Sequence, residues 1–229
     1  MSLDYNSLPT IDHAHEQSKS YANAPDKLAQ IVKSYGLSDK VAVRIIHKHF
    51  DLRHGEIACY RTVRAANVDA YLLSPVKASS VTACPINYAI QDKKLVPVEY
   101  TTDDSQLASG ALDSQEYASF RSAYVAEAEK LGVSHLYGVS VLPKKEAPPD
   151  LTEGEIAGYR ATITVPKALF TKAGITGTQI PNNWKATSKG GAQPGLFCIK
   201  IGPIHVGAGA EETPGELGEV IKGCVSKLY

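Results

Sequence analysis

Hydrophobic residues recur with helical spacing in two segments of the chain. In PDKLAQIVKSYG, residues 25–36, an apolar residue stands at i, i+3, i+4 and i+7: Leu28, Ile31, Val32 and Tyr35. In DSQEYASFRSAYVAEAEKLG, residues 113–132, a similar stripe is formed by Tyr117, Phe120, Tyr124, Ala128 and Leu131. Each segment ends in a glycine, which favours helix termination. The pattern predicts two amphipathic helices that pack on a sheet.

Strand-like alternation follows each of these glycines, in residues 36–46 and again in residues 132–142. A nearly identical heptapeptide then appears in each half of the chain, as GEIACYR (55–61) and as GEIAGYR (154–160), with six of seven letters shared. Further elements are predicted after each copy: hairpins over 87–102 and 195–207, and a last helix over 215–229. The order of elements indicates an internal duplication.

These elements predict an α+β protein with a largely antiparallel sheet. We expect a single domain made of two pseudo-repeats of a helix followed by antiparallel strands, at about 25–104 and 113–207. An N-terminal extension, 1–24, precedes the first repeat, and the C-terminal helix follows the second.

Composition narrows the range of functions. Hydrophobic residues make up 43% of the 229 positions and charged residues 21%, and the formal net charge is zero. Because no run of Lys and Arg exceeds two adjacent residues, the sequence disfavours a nucleic acid or a membrane as a partner. The four cysteines are far apart and no signal segment is recognisable, which predicts a cytoplasmic protein with reduced thiols.

A pair of histidines distinguishes the first half of the chain from the second. His47 and His49 follow the first alternating strand, whereas Pro143 and Lys145 stand at the matching positions of the second half. Residues two apart on a strand share a face, so both imidazoles can reach one ion. Glu56, across a predicted hairpin, would complete a two-His-one-carboxylate site for a divalent transition metal, Zn or Fe. The alternative is a pair of hydrogen-bonded histidines at a strand end.

Other residues qualify as participants in catalysis. We expect His205, in the last predicted hairpin, to act as a third histidine ligand or a general base, and Tyr60 to line a polar pocket. Cys198 is either a buried structural thiol or a nucleophile. His13 and His15 form a second H-x-H pair, but no strand is predicted before them.

The stretch VRIIHKHFDLRHGE, residues 43–56, resembles a segment in a family of uncharacterised proteins of filamentous fungi. In that family a histidine pair followed by Phe closes a strand after a G-L-x-x-K-V entry, as at residues 36–41. The resemblance extends over much of the chain and implies a cytosolic fungal protein, but it brings no activity. Family members tend to carry a Cys/His-rich C-terminal segment, which only Cys198 and His205 match here.

The sequence therefore predicts a metal-dependent enzyme that acts on a small organic molecule through His47, His49 and Glu56. A second hypothesis is a non-catalytic protein that binds a small ligand or a partner, with a tyrosine-lined pocket between the halves. In both cases the expected partner is a small molecule, and a homodimer is possible on either hypothesis.

Overall fold

A computed structural model gives the fold of residues 4–103, 107, 111–144, 150–156, 158–188, 190–200, 215–226 and 228. The strands in this part of the chain are β1 (Val41–Ile45), β2 (Glu56–Ala65), β3 (Val68–Lys77), β4 (Cys84–Gln91), β5 (Lys94–Thr101), β6 (Tyr137–Val141), β7 (Leu151–Glu155), β8 (Thr162–Pro166), β9 (Thr178–Ala186) and β10 (Ala192–Lys200). The helices are α1 (Ile11–Ser18), α2 (Ala24–Ser34), α3 (Ala118–Lys130), α4 (Lys167–Lys172) and α5 (Gly215–Val225).

The ten strands close into one barrel, in the order β1-β6-β4-β5-β2-β3-β8-β7-β10-β9, with β9 pairing back to β1. Two pairs are parallel, β2 with β5 and β7 with β10, and the others are antiparallel. The predicted α+β sheet of two consecutive pseudo-repeats is therefore wrong. Strands from the two halves are interleaved around one closed surface, and local alternation carries no information about such closure.

Helices α2 and α3 cover the outside of the barrel. Their buried side chains pack on the outward face of β1, which is formed by Val41, Val43 and Ile45. Gly36 and Gly132 follow these helices with φ of +68° and +69°, a conformation that a side chain disfavours. The two predicted helices are present as α2 and α3.

The two similar heptapeptides occupy different structures. In the first, Glu56 begins β2, whereas in the second Glu155 ends β7 and the following residues leave the strand. The strands β2 and β7 do have the same kinds of neighbour, one parallel and one antiparallel. Glu56 pairs with Lys77 at the start of β2, whereas Glu155 pairs with Thr162 at the end of β7, so equal letters do not mark equal positions.

The inside of the barrel is polar although many of its side chains are buried. Buried polar and charged side chains come from most of its strands: Arg44, Asn87, Glu99, Thr101, Ser140, Glu153, Thr162, Thr164, Asn182 and Asn183. Burying so many polar groups is costly unless they bind one another or a ligand. The barrel interior is therefore the part of the structure best suited to hold a binding or catalytic site. Across the described ranges, each helix is too short or too polar to cross a membrane.

Candidate metal centre

His47 and His49 lie just beyond the end of β1. The strand stops at Ile45, and the chain then turns so that both imidazoles enter the barrel, away from the outward face of Val43 and Ile45. The two rings are 4.6 Å apart between centroids and nearly perpendicular. The strand spacing that was expected to align the two histidines does not apply, because β1 ends at Ile45, two residues before His47.

Glu153 and Cys198 reach the same place from two neighbouring strands. They are register partners in the parallel pair of β7 and β10, and both are buried, with 1% and 4% of their surface exposed. Glu153 Oε2 lies 3.5 Å from Cys198 Sγ. The chain after β1 comes close to them because β9 lies between β1 and β10.

The four side chains form a compact group with the geometry of a metal site. One potential ligand atom from each of His47, His49, Glu153 and Cys198 lies within 4.8 Å of all the others. Three separations are 3.5 Å from His47 Nε2 to Sγ, 3.4 Å from His49 Nε2 to Oε2, and 3.5 Å from Oε2 to Sγ. A tetrahedral ion with bonds of about 2.0–2.3 Å requires ligand atoms about 3.3–3.6 Å apart.

Neighbouring groups hold three of these side chains in an orientation suited to metal binding. His47 Nδ1 is 3.0 Å from the Ile45 carbonyl oxygen, which accepts its proton and leaves the Nε2 lone pair directed into the group. Glu153 Oε1 accepts from Thr162 Oγ1 at 2.9 Å, while Oε2, which has only long contacts of 3.5 Å with Asn182 Nδ2 and Cys198 Sγ, is directed into the group. Asn182 Nδ2 donates to Cys198 Sγ at 2.9 Å, which favours a thiolate.

His49 Nε2 lies beside the Glu153 carboxylate without a well-formed hydrogen bond. It is buried and 3.4 Å from Glu153 Oε2, a loose ion pair that lacks the alignment of a good hydrogen bond. Such a loose contact is unfavourable in a protein interior. A cation between the two atoms would bind both, so the residues present fit a metal ion.

Burial and neighbouring charges shift the pKa values of the side chains in this group. Burial, with the neighbouring His49 and Arg44, holds the pKa of His47 well below its usual value, so its imidazole is neutral and able to bind an ion. Burial raises the pKa of the Cys198 thiol. Burial would also raise the pKa of Glu153, but the attraction of His49 and Arg44 outweighs it and keeps that pKa far below its usual range.

The charges of the barrel interior indicate what an ion would replace. Burial opposes protonation of His49, but the Glu153 carboxylate outweighs it and raises the pKa of His49. With His49 protonated and Cys198 a thiol, the charges of Arg44 and His49 balance those of Glu99 and Glu153. A divalent cation would take the place of the protons on His49 and Cys198, so metal binding would release protons.

Glu56, the expected carboxylate ligand, is not in this group. Its two oxygens accept from NH1 and NH2 of Arg160 at 2.7 and 2.8 Å, and this ion pair lowers the pKa of Glu56 to about 2. The acid that does join the histidines, Glu153, stands two positions before the second heptapeptide's glutamate. A signal was present in the alternation of Leu151, Glu153 and Glu155, but nothing in the sequence indicated that β7 would face the histidines.

Tyr60 and Arg44 connect this group with the rest of the interior. The Tyr60 hydroxyl lies 3.3 Å from Glu153 Oε1, 3.5 Å from Glu99 Oε2 and 3.3 Å from Arg44 NH2. Burial, and then the two carboxylates, raise the pKa of Tyr60 well above its usual value, so the phenol keeps its proton. His205 lies outside the described residues. His13 and His15 are on α1, which precedes the barrel.

A cavity of about 710 Å³ lies on the other side of Tyr60 and Arg44. Both residues line it, whereas none of the four potential ligands does. Its buried walls combine polar and apolar side chains: Asn87, Thr101, Ser140, Thr164 and Asn183 with Leu107, Val141, Leu142 and Leu151. Its size is that of pockets that bind small organic molecules.

Comparison of the chain with protein-family models, curated proteins and solved structures gave no match. The resemblance to a family of filamentous fungi therefore stays a prediction.

Proposed function

We propose that this chain is a metal-dependent enzyme whose ion is held by His47, His49, Glu153 and Cys198 and whose substrate is a small organic molecule bound in the cavity. The observation that carries the proposal is the convergence of two imidazole nitrogens, a carboxylate oxygen and a thiol sulfur, all buried and within 4.8 Å of one another. Three of their separations, 3.4–3.5 Å, are close to those between the ligands of a tetrahedral ion.

Zinc is the ion that the donor set favours. Two imidazoles, a thiolate and a carboxylate in a tetrahedron combine the borderline-soft and hard ligands that Zn²⁺ accepts. Iron(II) is the second choice, because two histidines and one carboxylate also suit it. When bound, such an ion supplies electrostatic stabilisation of negative charge that develops nearby.

Tyr60 is the residue that would carry chemistry from the centre to the cavity. Its hydroxyl borders the cavity and also contacts the carboxylate ligand, so it is placed to donate a hydrogen bond or a proton to a bound molecule. Arg44, beside it, would orient an anionic group of that molecule. Neither residue needs to move to reach the cavity, because both already line it.

Two other functions use parts of the same site. Cys198 lies 3.5 Å from His47 Nε2, as a nucleophile lies from its base, but the thiol is buried, its pKa is raised and it does not line the cavity. A non-catalytic ligand-binding protein would use the same cavity, which includes Tyr60 and Tyr71, with the ion as a structural element. Four protein ligands are the usual number at structural zinc sites.

Metal analysis of protein purified without a histidine tag tests the proposal. We expect about one equivalent of a transition metal in the parent and a loss of most of it in Cys198→Ala. Cys59→Ala is the matched control, since Cys59 is also a buried thiol but lies outside the group. Parent protein that neither contains nor takes up Zn²⁺, Fe²⁺ or Co²⁺ would exclude the centre.

Cobalt substitution separates the enzyme from the structural alternative. Co²⁺ in a tetrahedral site with a thiolate gives intense visible and near-ultraviolet bands, and small ligands in the cavity should change them if the ion takes part in binding. A spectrum with the thiolate band that no cavity ligand perturbs would favour a structural ion. Octahedral, weakly absorbing Co²⁺ would contradict the proposed ligand set.

A further inference from the structure

The cavity is lined by apolar side chains and by the guanidinium of Arg44, which does not use all of its hydrogen-bond donors. Arg44 has 3% of its surface exposed, and its hydrogen bonds to described residues both use NH2, at 3.3 Å to Glu99 Oε2 and 3.3 Å to the Tyr60 hydroxyl. A guanidinium carries five N–H donors in a planar fork. The side chain lines the cavity, so donors that are not used by protein face bound molecules.

Arg160 provides a comparison, because its guanidinium is paired with a carboxylate through two nitrogens. Arg160 binds Glu56 through both terminal nitrogens at 2.7 and 2.8 Å, the normal length of a charge-assisted hydrogen bond. The contact of Arg44 with Glu99 is 3.3 Å and involves one nitrogen. Arg44 is therefore fixed in place by Glu99 but not saturated by it.

Glu99 does not depend on Arg44 for its hydrogen bonds. Asn87 Nδ2 donates to Oε2 at 2.5 Å, and the Tyr5 hydroxyl lies 3.5 Å from Oε1. The negative charge is thus shared among several donors. A second carboxylate, supplied by a ligand, can bind the free edge of Arg44 without leaving Glu99 unpaired.

We propose that the cavity binds a small carboxylic acid with an apolar tail. Its carboxylate binds the free edge of Arg44, and its tail packs on Leu142 and Leu151. This proposal rests on the proposed function in that it names the class of molecule in the same cavity, but the groups that select the ligand are not the metal ligands.

Titration calorimetry with hexanoate, hexanamide and acetate tests the proposal on the full chain, after the metal content of the same preparation has been measured. Hexanoate should bind at least about tenfold more tightly than hexanamide, because a charge-assisted contact with Arg44 is lost in the amide. Hexanoate should also bind at least about tenfold more tightly than acetate, which has no apolar tail. Equal affinities for hexanoate and hexanamide, or no binding of hexanoate, would overturn the proposal, and equal affinities of the two acids would overturn the role of the apolar walls.

A pair of double variants locates the binding. Arg44→Met with Glu99→Gln removes the buried pair without leaving one charge alone, and it should reduce the affinity for hexanoate at least about tenfold. Arg160→Met with Glu56→Gln removes a comparable pair away from the cavity and should bind as the parent does. If the cavity variant does not fold, the comparison of probes in the parent decides alone. Metal-loaded protein that ignores all three probes refutes only the ligand class, whereas metal-free protein that binds them refutes only the centre.

Discussion

Removal of Cys198 should abolish the response of the protein's stability to metal, and this is the sharpest test of the centre. An ion that binds only the folded state adds about 2.7 kcal/mol at a hundredfold excess over its Kd. For a chain of this size, about 1 kcal/mol corresponds to roughly 2–4 °C in Tm. The parent should therefore melt about 5–10 °C lower in a chelator than with excess Zn²⁺.

The comparison uses two cysteines that differ mainly in their neighbours. Cys198 and Cys59 have 4% and 0% of their surface exposed, so truncation to alanine leaves a similar small cavity at each. Both variants should lose stability by about 1 kcal/mol from packing. Only Cys198→Ala should also lose the difference between chelator and Zn²⁺, because only it removes a ligand.

Differential scanning calorimetry of the parent and of both variants, with and without EDTA, measures this difference. If the parent melts at the same temperature in EDTA, in Zn²⁺ and in Fe²⁺, the reasoning is refuted, and His47 and His49 are hydrogen-bonded interior histidines. If Cys59→Ala loses the response as well, the effect belongs to the barrel as a whole and not to the ligand set.

Three further predictions concern other parts of the structure. Tyr60→Phe removes a hydroxyl that contacts Glu153 Oε1 and not Oε2, so equilibrium dialysis should show unchanged metal stoichiometry with a Kd about 10–100-fold weaker. Glu56→Gln should cost about 1 kcal/mol in urea unfolding at pH 6, since the Arg160 ion pair is partly exposed. The pKa of Glu56 is lowered from 4.5 to about 2 in the folded state, so this stabilisation is present above pH 4.5 and disappears towards pH 2; a difference between parent and variant that grows on acidification would contradict it. Gly138→Ala would place a methyl group against the Tyr88 carbonyl oxygen and should cost more than about 3 kcal/mol, whereas Gly36→Ala, which has open space but φ of +68°, should cost about 1 kcal/mol in the same assay.

The sequence predicted local structure better than it predicted the fold. The helices near residues 25–36 and 113–132 were found from apolar spacing and glycine stops, because both signals are local. Closure of the barrel depends on pairings such as β1 with β9, which join residues about 140 positions apart and leave no periodic trace. The polar interior made closure still harder to predict. A strand with Arg44 inside the barrel and Val43 outside has the same alternation as a strand with one face exposed to solvent.

The site was predicted in part for the same reason. His47 and His49 are close in sequence, so the H-x-H spacing alone was enough to single them out. Glu153 and Cys198 meet them only through the parallel pairing of β7 with β10. Glu56 was expected because a hairpin was predicted to bring it across from the histidines, but β1 pairs with β6 and β9 and not with β2. Register in the barrel, and not sequence similarity, decides which carboxylate faces inwards.

The position of the centre relative to the cavity also bears on what the ion can do. The potential ligands are buried beneath Tyr60 and Arg44, so a molecule in the cavity meets these two residues before it meets the ion. An ion held there would act first by holding the Glu153 side chain in position, and Glu153 Oε1 in turn binds the Tyr60 hydroxyl. Loss of metal should therefore disorder the floor of the cavity even for a ligand that never touches the ion. On this reasoning metal binding and carboxylate binding are coupled, and each should strengthen the other by the same factor.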